Sequence, residues 1–341
     1  MSNDWKFAYT TRRVSRRRVA GVMAGDHAPR AGDLVLAEVL EIGQHARLEG
    51  PDSRRASLFA GDQIVVCYGN RYAPDQFEGH VPADLSECDL VAAGGVAARV
   101  TACHRRMDPP TRIAPVGLLH DHAGQRINLR DHGLTPAPYA GRPTTIAVVG
   151  TSMNSGKTTT TAHLVRGLRA AGLRVGAAKV TGTGAGGDAW LMRDAGAEVV
   201  YDFTDAGVAS TSLLDLPALH GIVDTLLGNL AAAGAEVAVF EVADGLLQAE
   251  TAALVGSPRF AQAVDGMLFA AGEAMGAAAG VSWLRERGLP VLAISGVLTS
   301  APLAVRETAA ATGMPVLTYD ELATGAVAES LIPRAQALLA A

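Results

Sequence analysis

Two periodicities divide the 341-residue chain. In its first third, short apolar runs alternate with turn chemistry. Residues 33–42, 46–49, 63–68, 89–93, 97–100 and 114–119 read as strands, and Gly-Asp at 32–33 and 61–62, Pro-Asp at 51–52 and Gly-Asn at 69–70 separate several of them. This pattern predicts a small β-rich, barrel-like domain over residues 1–135. A Pro/Gly-rich connector at 136–143 follows. From residue 144 to 341 the period changes. Apolar strand candidates at 146–149, 174–180, 198–202, 236–241, 266–269, 290–295 and 315–317 alternate with helical patterns, notably 159–171, 214–233, 276–287, 303–312 and 321–339. Such alternation specifies an α/β fold with a doubly wound, mostly parallel sheet.

Composition narrows the class without changing the architecture. The chain is 49% apolar and 18% charged with a net charge of −5. That balance fits a globular protein and argues against general nucleic-acid affinity, which needs a basic face. No apolar stretch reads as a membrane helix. Cys67, Cys88 and Cys103 are scattered and odd in number, so a reducing, cytoplasmic setting is expected. The run Arg12, Arg13, Arg16, Arg17 and Arg18 has no apolar core behind it and reads as a solvated arm or a strand edge, with phosphate or an acidic partner as the functional alternative.

The chemistry concentrates at Gly150-Thr151-Ser152-Met153-Asn154-Ser155-Gly156-Lys157-Thr158-Thr159. A buried strand enters a glycine-bounded loop, and Gly-Lys-Thr then opens a helix. Backbone amides and the positive helix end can cradle phosphate, Lys157 can reach the outer phosphates, and the Thr158 hydroxyl can ligate magnesium. The first glycine of the usual spacing would fall at Thr151; here it is Gly150. Lys6, Lys157 and Lys179 are the only lysines beside twenty-six arginines, so each retained lysine points to a need for a compact ammonium.

Other polar residues follow the strands, where parallel sheets bind ligands. Lys179 ends one strand before a glycine-rich stretch leading to Asp188, and Glu241 ends another before Val242-Ala243-Asp244-Gly245. Lys157 and Lys179 are the candidate catalytic cations; Thr158, Asp188 and Glu241 are the candidate magnesium ligands. Asp188 could instead cap its helix, Lys179 could serve a structural carboxylate, and Asp244 could replace Glu241 as ligand. Residues 202–205 could line a substrate pocket, and residues 70–77 could contact substrate or simply pack. His120, His122 and His132 could gather on a metal, although loop histidines beside aspartates are commonly solvated. Glu250 and Glu273 have no informative spacing.

The loop resembles, in length and spacing, that of dethiobiotin synthetases and related P-loop ligases, whose loop reads Gly-Thr-Asp-Thr-Glu-Val-Gly-Lys-Thr. The resemblance covers roughly residues 144–320. It implies an ATP and Mg2+ enzyme, with Gly150, Thr151, Asn154, Ser155, Gly156, Lys157, Thr158 and Thr159 around the phosphates. It also implies that Lys179, Asp188 and Glu241 match the family's lysine, aspartate and glutamate, and that Ser295 and Val297 lie in the loop that holds the base. The implied chemistry is phosphoryl activation of a small carboxylate or carbamate, in an enzyme that can be a homodimer. Ser152 and Asn154 replace the family's acidic loop residues and an extra N-terminal domain is present, so dethiobiotin itself is not the expected substrate. The loop is also similar in length to that of the DUF1611-like two-domain P-loop family, which includes amino-acid N-acetyltransferases and would imply coenzyme A. Residues 154–159 further resemble GTP-binding accessory proteins of molybdopterin cofactor assembly, although no Asn-Lys-x-Asp guanine motif is recognisable.

Overall fold

The computed structural model describes residues 5–138 and 141–339. Residues 1–4, 340–341 and two positions of the expected connector, 139 and 140, lie outside the described residues. The chain divides into two compact units. One comprises Met1–Leu134 with Gly182–Gly187 and Phe203–Leu213; the other comprises Thr135–Thr181, Asp188–Asp202 and Leu214–Ala341. The expected boundaries, 1–135 and 144–341, do not set apart the two short segments. Hydrogen bonds such as Gly186 N–H to Glu49 Oε2 and Leu134 N–H to Asp205 O tie them into the first unit.

The first unit is built from β1 (Lys6–Phe7), β2 (Gly21–Met23), β3 (Leu34–Glu41), β4 (Arg47–Glu49), β5 (Arg55–Ser57), β6 (Gln63–Tyr68), β7 (Arg71–Tyr72), β8 (Phe77–His80), β9 (Cys88–Ala92), β10 (Val96–Cys103) and β11 (Thr111–His120). Strand β6 pairs with β3, β3 with β11, β11 with β9, β9 with β10, and β10 returns to β6. The ring closes into a barrel, which removes the exposed edges of these five strands. Its seam is the parallel β6–β10 pair, where Val96 faces Cys67 and Ala97 faces Tyr68. Alternate residues supply the filling: Val35, Ala37, Val39, Ile64, Val66, Tyr68, Leu90, Ala97 and Ile113 form one cluster. The intervening Leu34, Leu36, Val65, Cys67, Val91 and Val96 pack outward against Phe7, Val14, Ile127 and Leu129. Burial on both faces explains why residues 33–42 read as a nearly continuous apolar run.

The second unit is a single six-stranded parallel sheet. Its strands are β12 (Thr144–Gly150), β13 (Val175–Lys179), β14 (Val199–Asp202), β15 (Val237–Glu241), β16 (Gly266–Ala270) and β17 (Val291–Ser295), in the order β14-β13-β15-β12-β16-β17. The helices are α1 (Lys157–Ala170), α2 (Gly187–Asp194), α3 (Leu216–Ala232), α4 (Ala249–Val255), α5 (Pro258–Ala263), α6 (Ala274–Arg285), α7 (Pro302–Thr312), α8 (Tyr319–Leu322) and α9 (Ala326–Leu339). The expected strand at 315–317 is reduced to a single parallel bridge from Val316 to Ile294. The expected helix at 321–339 is two helices, because a capping box of Thr318 and Glu321 builds the separate turn α8 before α9 begins. Helix α1 starts at Lys157, two residues earlier than the sequence pattern indicates. Among the described residues no helix is long and apolar enough to cross a membrane.

Helix α6 lies close to β16 because residue 280 has no side chain. A Cβ there would overlap the ring of the fully buried Phe269. Gly280→Ala is therefore expected to destabilise the protein by about 1–3 kcal/mol through overpacking. Urea unfolding measures this directly.

Candidate functional site

Strand β12 lies between β15 and β16, with Val148 level with Glu241 and Gly150 level with Ala270. The chain leaving β12 through α1 goes to β13 on one side, whereas the chain leaving β15 crosses to β16 on the other. The carboxyl end of β12 is thus a topological switch point, the place where such sheets open a crevice for ligands.

Residues 151–156 fill that position. Thr151 N–H donates to Ala270 O at 3.0 Å, which fixes the start of the loop to β16. Asn154 (φ 62°) and Gly156 (φ 93°) are both left-handed and reverse the chain; asparagine is among the few residues with a side chain that adopts this conformation readily. At Gly156 space is also decisive, since a Cβ would overlap the Tyr319 hydroxyl and approach Val297 N to 2.9 Å. Lys157 is the first residue of α1, is 6% exposed, and donates from Nζ to Ser152 O at 2.7 Å. The loop therefore curls over its own lysine while the first amides of α1, which have no partner within the helix, point the same way.

The ends of the neighbouring strands supply the charges. Cross-strand register sets Lys179 level with Glu241 on one side and Asp202 on the other, so these side chains share a face. Lys179 forms an ion pair with Asp188, in the first turn of α2. Thr158 Oγ1 donates to Glu241 Oε1 at 2.8 Å. Glu241 is 2% exposed, and its Oε2 is buried with no hydrogen-bond partner among the described residues. Burial, reinforced by Asp188, pushes the Glu241 carboxyl up to about 7 against the pull of Lys179, the Thr158 hydroxyl and Lys157. Burial works against the Lys179 ammonium too, but Asp188, Glu241 and Asp202 outweigh it and hold its pKa above the ordinary value. Lys157 shifts the other way: burial lowers it, although Glu241 and Asp244 oppose the shift.

The loop after β17 completes the surroundings. Val297 N–H donates to Ser155 O at 3.1 Å, while the Val297 side chain is largely exposed. Ser295 is fully buried, as is the Ser155 hydroxyl, and neither Oγ has a hydrogen-bond partner among the described residues. Thr159 O lies 2.8 Å from His163 Nδ1, and the His163 ring stacks on Tyr319 with centroids 5.1 Å apart. Tyr319 and His163 have no signal in the sequence, because it is the stack between α1 and α8 that brings them to the loop.

The oxygens of Thr158 and Glu241 meet the donor preference of magnesium. That cation favours hard oxygens and commonly takes only one or two carboxylates, leaving other positions to water and phosphate. Thr158 and Glu241 provide such oxygens, and the buried Glu241 Oε2 has no hydrogen-bond partner among the described residues. Asp188 is committed through one oxygen to Lys179, which makes it a better partner for the lysine than a free metal ligand. No group of three His, Cys, Asp or Glu residues spaced for a metal occurs among the described residues.

The remaining candidates have local explanations. His120 Nδ1 lies 2.9 Å from Asp121 O and His122 Nε2 lies 3.0 Å from Arg17 O, so these rings engage backbone carbonyls. Asp205 pairs with Arg12 at 2.6 Å, which ties down one arginine of the N-terminal run. Residues 70–77 form part of the β7–β8 hairpin beside a cavity of about 330 Å³ lined by Tyr72, Gln76, Glu78, Cys103 and His104. Lys6 reaches Asp62 and the Ser57 carbonyl, a corner that suits a compact ammonium. Glu273 caps α6 by accepting from Met275 N–H at 2.7 Å.

An all-parallel sheet whose central strand runs through a glycine-bounded loop into a Lys-Thr helix start is a P-loop NTPase-like α/β fold, here joined to a β-rich unit. No family model matches the chain, and no curated protein matches it. Among solved structures it resembles the signal recognition particle 54 kDa protein from Aeropyrum pernix K1 in complex with GDP, at 21% identity over 60% of this chain and a TM-score of 0.39. It resembles the signal recognition particle receptor FtsY from Elizabethkingia anophelis at 17% identity over 52% of this chain, with a TM-score of 0.38. A DUF1611 family protein from Anabaena variabilis ATCC 29413 gives 17% identity over 62% of this chain and a TM-score of 0.40. The chain spans 50%, 57% and 64% of the respective lengths of these three structures.

Proposed function

We propose that the second unit binds a magnesium nucleotide by its phosphates and that the protein uses ATP to activate a small carboxylate or carbamate by phosphoryl transfer. The observation that carries this reading is the Thr158 Oγ1–Glu241 hydrogen bond, which stands directly beside a loop closed over Lys157. The amides of residues 154–159 would receive the phosphates, and Lys157 would exchange Ser152 O for a phosphate oxygen. Thr158 and Glu241 would hold magnesium, with Asp188 reaching it through water. Bound ATP would supply the transferable phosphoryl group, and magnesium would neutralise its oxygens.

Charge balance supports a divalent cation. Lys157 and Lys179 interact with Glu241, Asp244, Asp188 and Asp202, so two ammonium groups face four carboxylates. A bare polyphosphate would be repelled from such a cluster. A substrate carboxylate would compete with Asp188 for Lys179, leaving that ammonium to steady charge on the moving group. Val297 adjoins the phosphate loop through Ser155, and the base would lie against the exposed Val297 side chain, with Ser295 two residues before it in the chain.

Turnover with ATP, GTP and coenzyme A, each with Mg2+ and a panel of small carboxylates and amines, separates the possible chemistries. Carboxylate-stimulated release of ADP, with a phosphorylated or condensed product by mass spectrometry, is the expected result. Coenzyme A binding without triphosphate turnover would instead favour amino-acid N-acetylation. Slow GTP turnover indifferent to every small molecule would favour an accessory NTPase. Either outcome rejects the proposed reaction.

A further inference from the structure

The glycine-rich stretch of residues 181–187 lies between the two members of the Lys179–Asp188 ion pair. Glycine loses more conformational freedom on ordering than any other residue, so this stretch needs outside contacts to hold a shape. Those contacts come from the barrel unit, to which Gly182–Gly187 belongs. Gly182 N–H donates to Thr211 Oγ1 at 2.8 Å, Gly184 N–H to Ala209 O at 2.9 Å, and Gly186 N–H to Glu49 Oε2 at 3.1 Å. Glu49 ends β4, opposite Arg55 of β5, and is 2% exposed. A buried carboxylate is costly unless its hydrogen bonds are strong, and a carboxylate accepting a backbone N–H is charge-assisted. Asp188 follows Gly186 by two residues, and α2 begins between them at Gly187.

The segment after β14 is anchored in the same manner. It starts at Phe203, directly beyond the buried Asp202 that stands level with Lys179. Arg12 hydrogen-bonds Thr204 and pairs with Asp205, and its guanidinium lies 4.0 Å from the centroid of the Tyr9 ring.

We propose that Glu49 is a positioning residue for the Lys179–Asp188 pair: by holding the Gly186 amide it sets where α2 begins and so where Asp188 meets Lys179. The link runs from the Glu49 carboxylate to the Gly186 amide and along two residues of chain to Asp188. Its effect on ligand affinity rests on the magnesium-nucleotide reading above; its effect on α2 does not.

Trp190, two residues beyond Asp188 in α2, provides the readout. In a Trp5→Phe, Trp283→Phe background, Glu49→Ala is expected to shift Trp190 emission in the ligand-free protein and to weaken Mg-ADP binding about tenfold to a hundredfold. Glu49→Asp, one methylene too short to reach the amide, should behave like Glu49→Ala. Glu49→Gln keeps an oxygen acceptor and should restore both readouts. Circular dichroism and the thermal midpoint identify which variants are folded. Folded Glu49→Ala or Glu49→Asp protein with unchanged Trp190 emission would overturn the proposal, as would Glu49→Gln failing in the same way as Glu49→Ala. A chain that binds no nucleotide would remove the function proposed above, while Trp190 emission would still decide the role of Glu49.

Discussion

Lys157→Met is expected to reduce nucleotide turnover severely while raising the thermal midpoint of the ligand-free protein. The two effects have one cause. The Lys157 ammonium is buried against its own loop, and that burial draws its pKa below the ordinary lysine value. A lysine whose folded pKa is depressed binds its proton more weakly in the folded state. At neutral pH it therefore lowers stability, and this cost lessens as pH rises toward the ordinary lysine value. Methionine has a similar length and no charge, so it removes the cost. It forfeits the bond to Ser152 O, worth about 1 kcal/mol, which opposes the gain. The ammonium that is costly without ligand is the donor required by the phosphates, and its loss should reduce turnover by roughly a hundredfold to a thousandfold. Differential scanning calorimetry and a coupled ADP assay measure the two halves. A variant that loses stability and keeps turnover would show that Lys157 is a structural residue.

Glu241→Gln should abolish a pH dependence that the wild type displays twice, with opposite signs. The Glu241 carboxyl is raised from its ordinary 4.5 to about 7, chiefly by burial and the nearby Asp188. A group with a raised folded pKa contributes stability that is complete below its unfolded value and is lost as pH rises through the folded one. The ligand-free wild type should accordingly lose stability between about pH 4.5 and 7 from this residue. Magnesium needs the carboxylate, so Mg2+-dependent nucleotide affinity should rise about tenfold per pH unit below 7 and level off above it. In Glu241→Gln the stability slope from this group disappears, and the magnesium dependence becomes weak and flat with pH. A wild-type magnesium affinity already level from pH 5 to 8 would place the cation elsewhere.

How much of this was legible in the sequence depends on how local each feature is. The loop at 150–159 is a local signal: a strand, glycines, then Lys-Thr at a helix start, all within ten residues. Lys179 and Glu241 were legible as strand-end residues for the same reason. Their relation was not, because Lys179, Glu241 and Asp202 become neighbours only through the register of β13 with β15 and β14. The ion pair that turns Asp188 toward Lys179 likewise depends on the course of the glycine-rich stretch. Barrel character could be read from alternating runs and turns, but closure depends on Val96 meeting Cys67 across the seam. The attachment of residues 182–187 to the barrel was out of reach, since Glu49 and Gly186 lie 137 residues apart. Two patterns were overread. Pro315 has no N–H to give a sheet, leaving the run at 315–317 as a single bridge, and the apolar periodicity through 321–339 conceals the break between α8 and α9.

Isothermal titration of the full chain with ATP, first with magnesium and then with EDTA, tests the magnesium-nucleotide site most directly. Saturable one-site binding that weakens at least about tenfold when magnesium is withdrawn is the expected result. A chain that takes up ATP equally well in EDTA, or does not bind it under either condition, would contradict the site built from Lys157, Thr158 and Glu241.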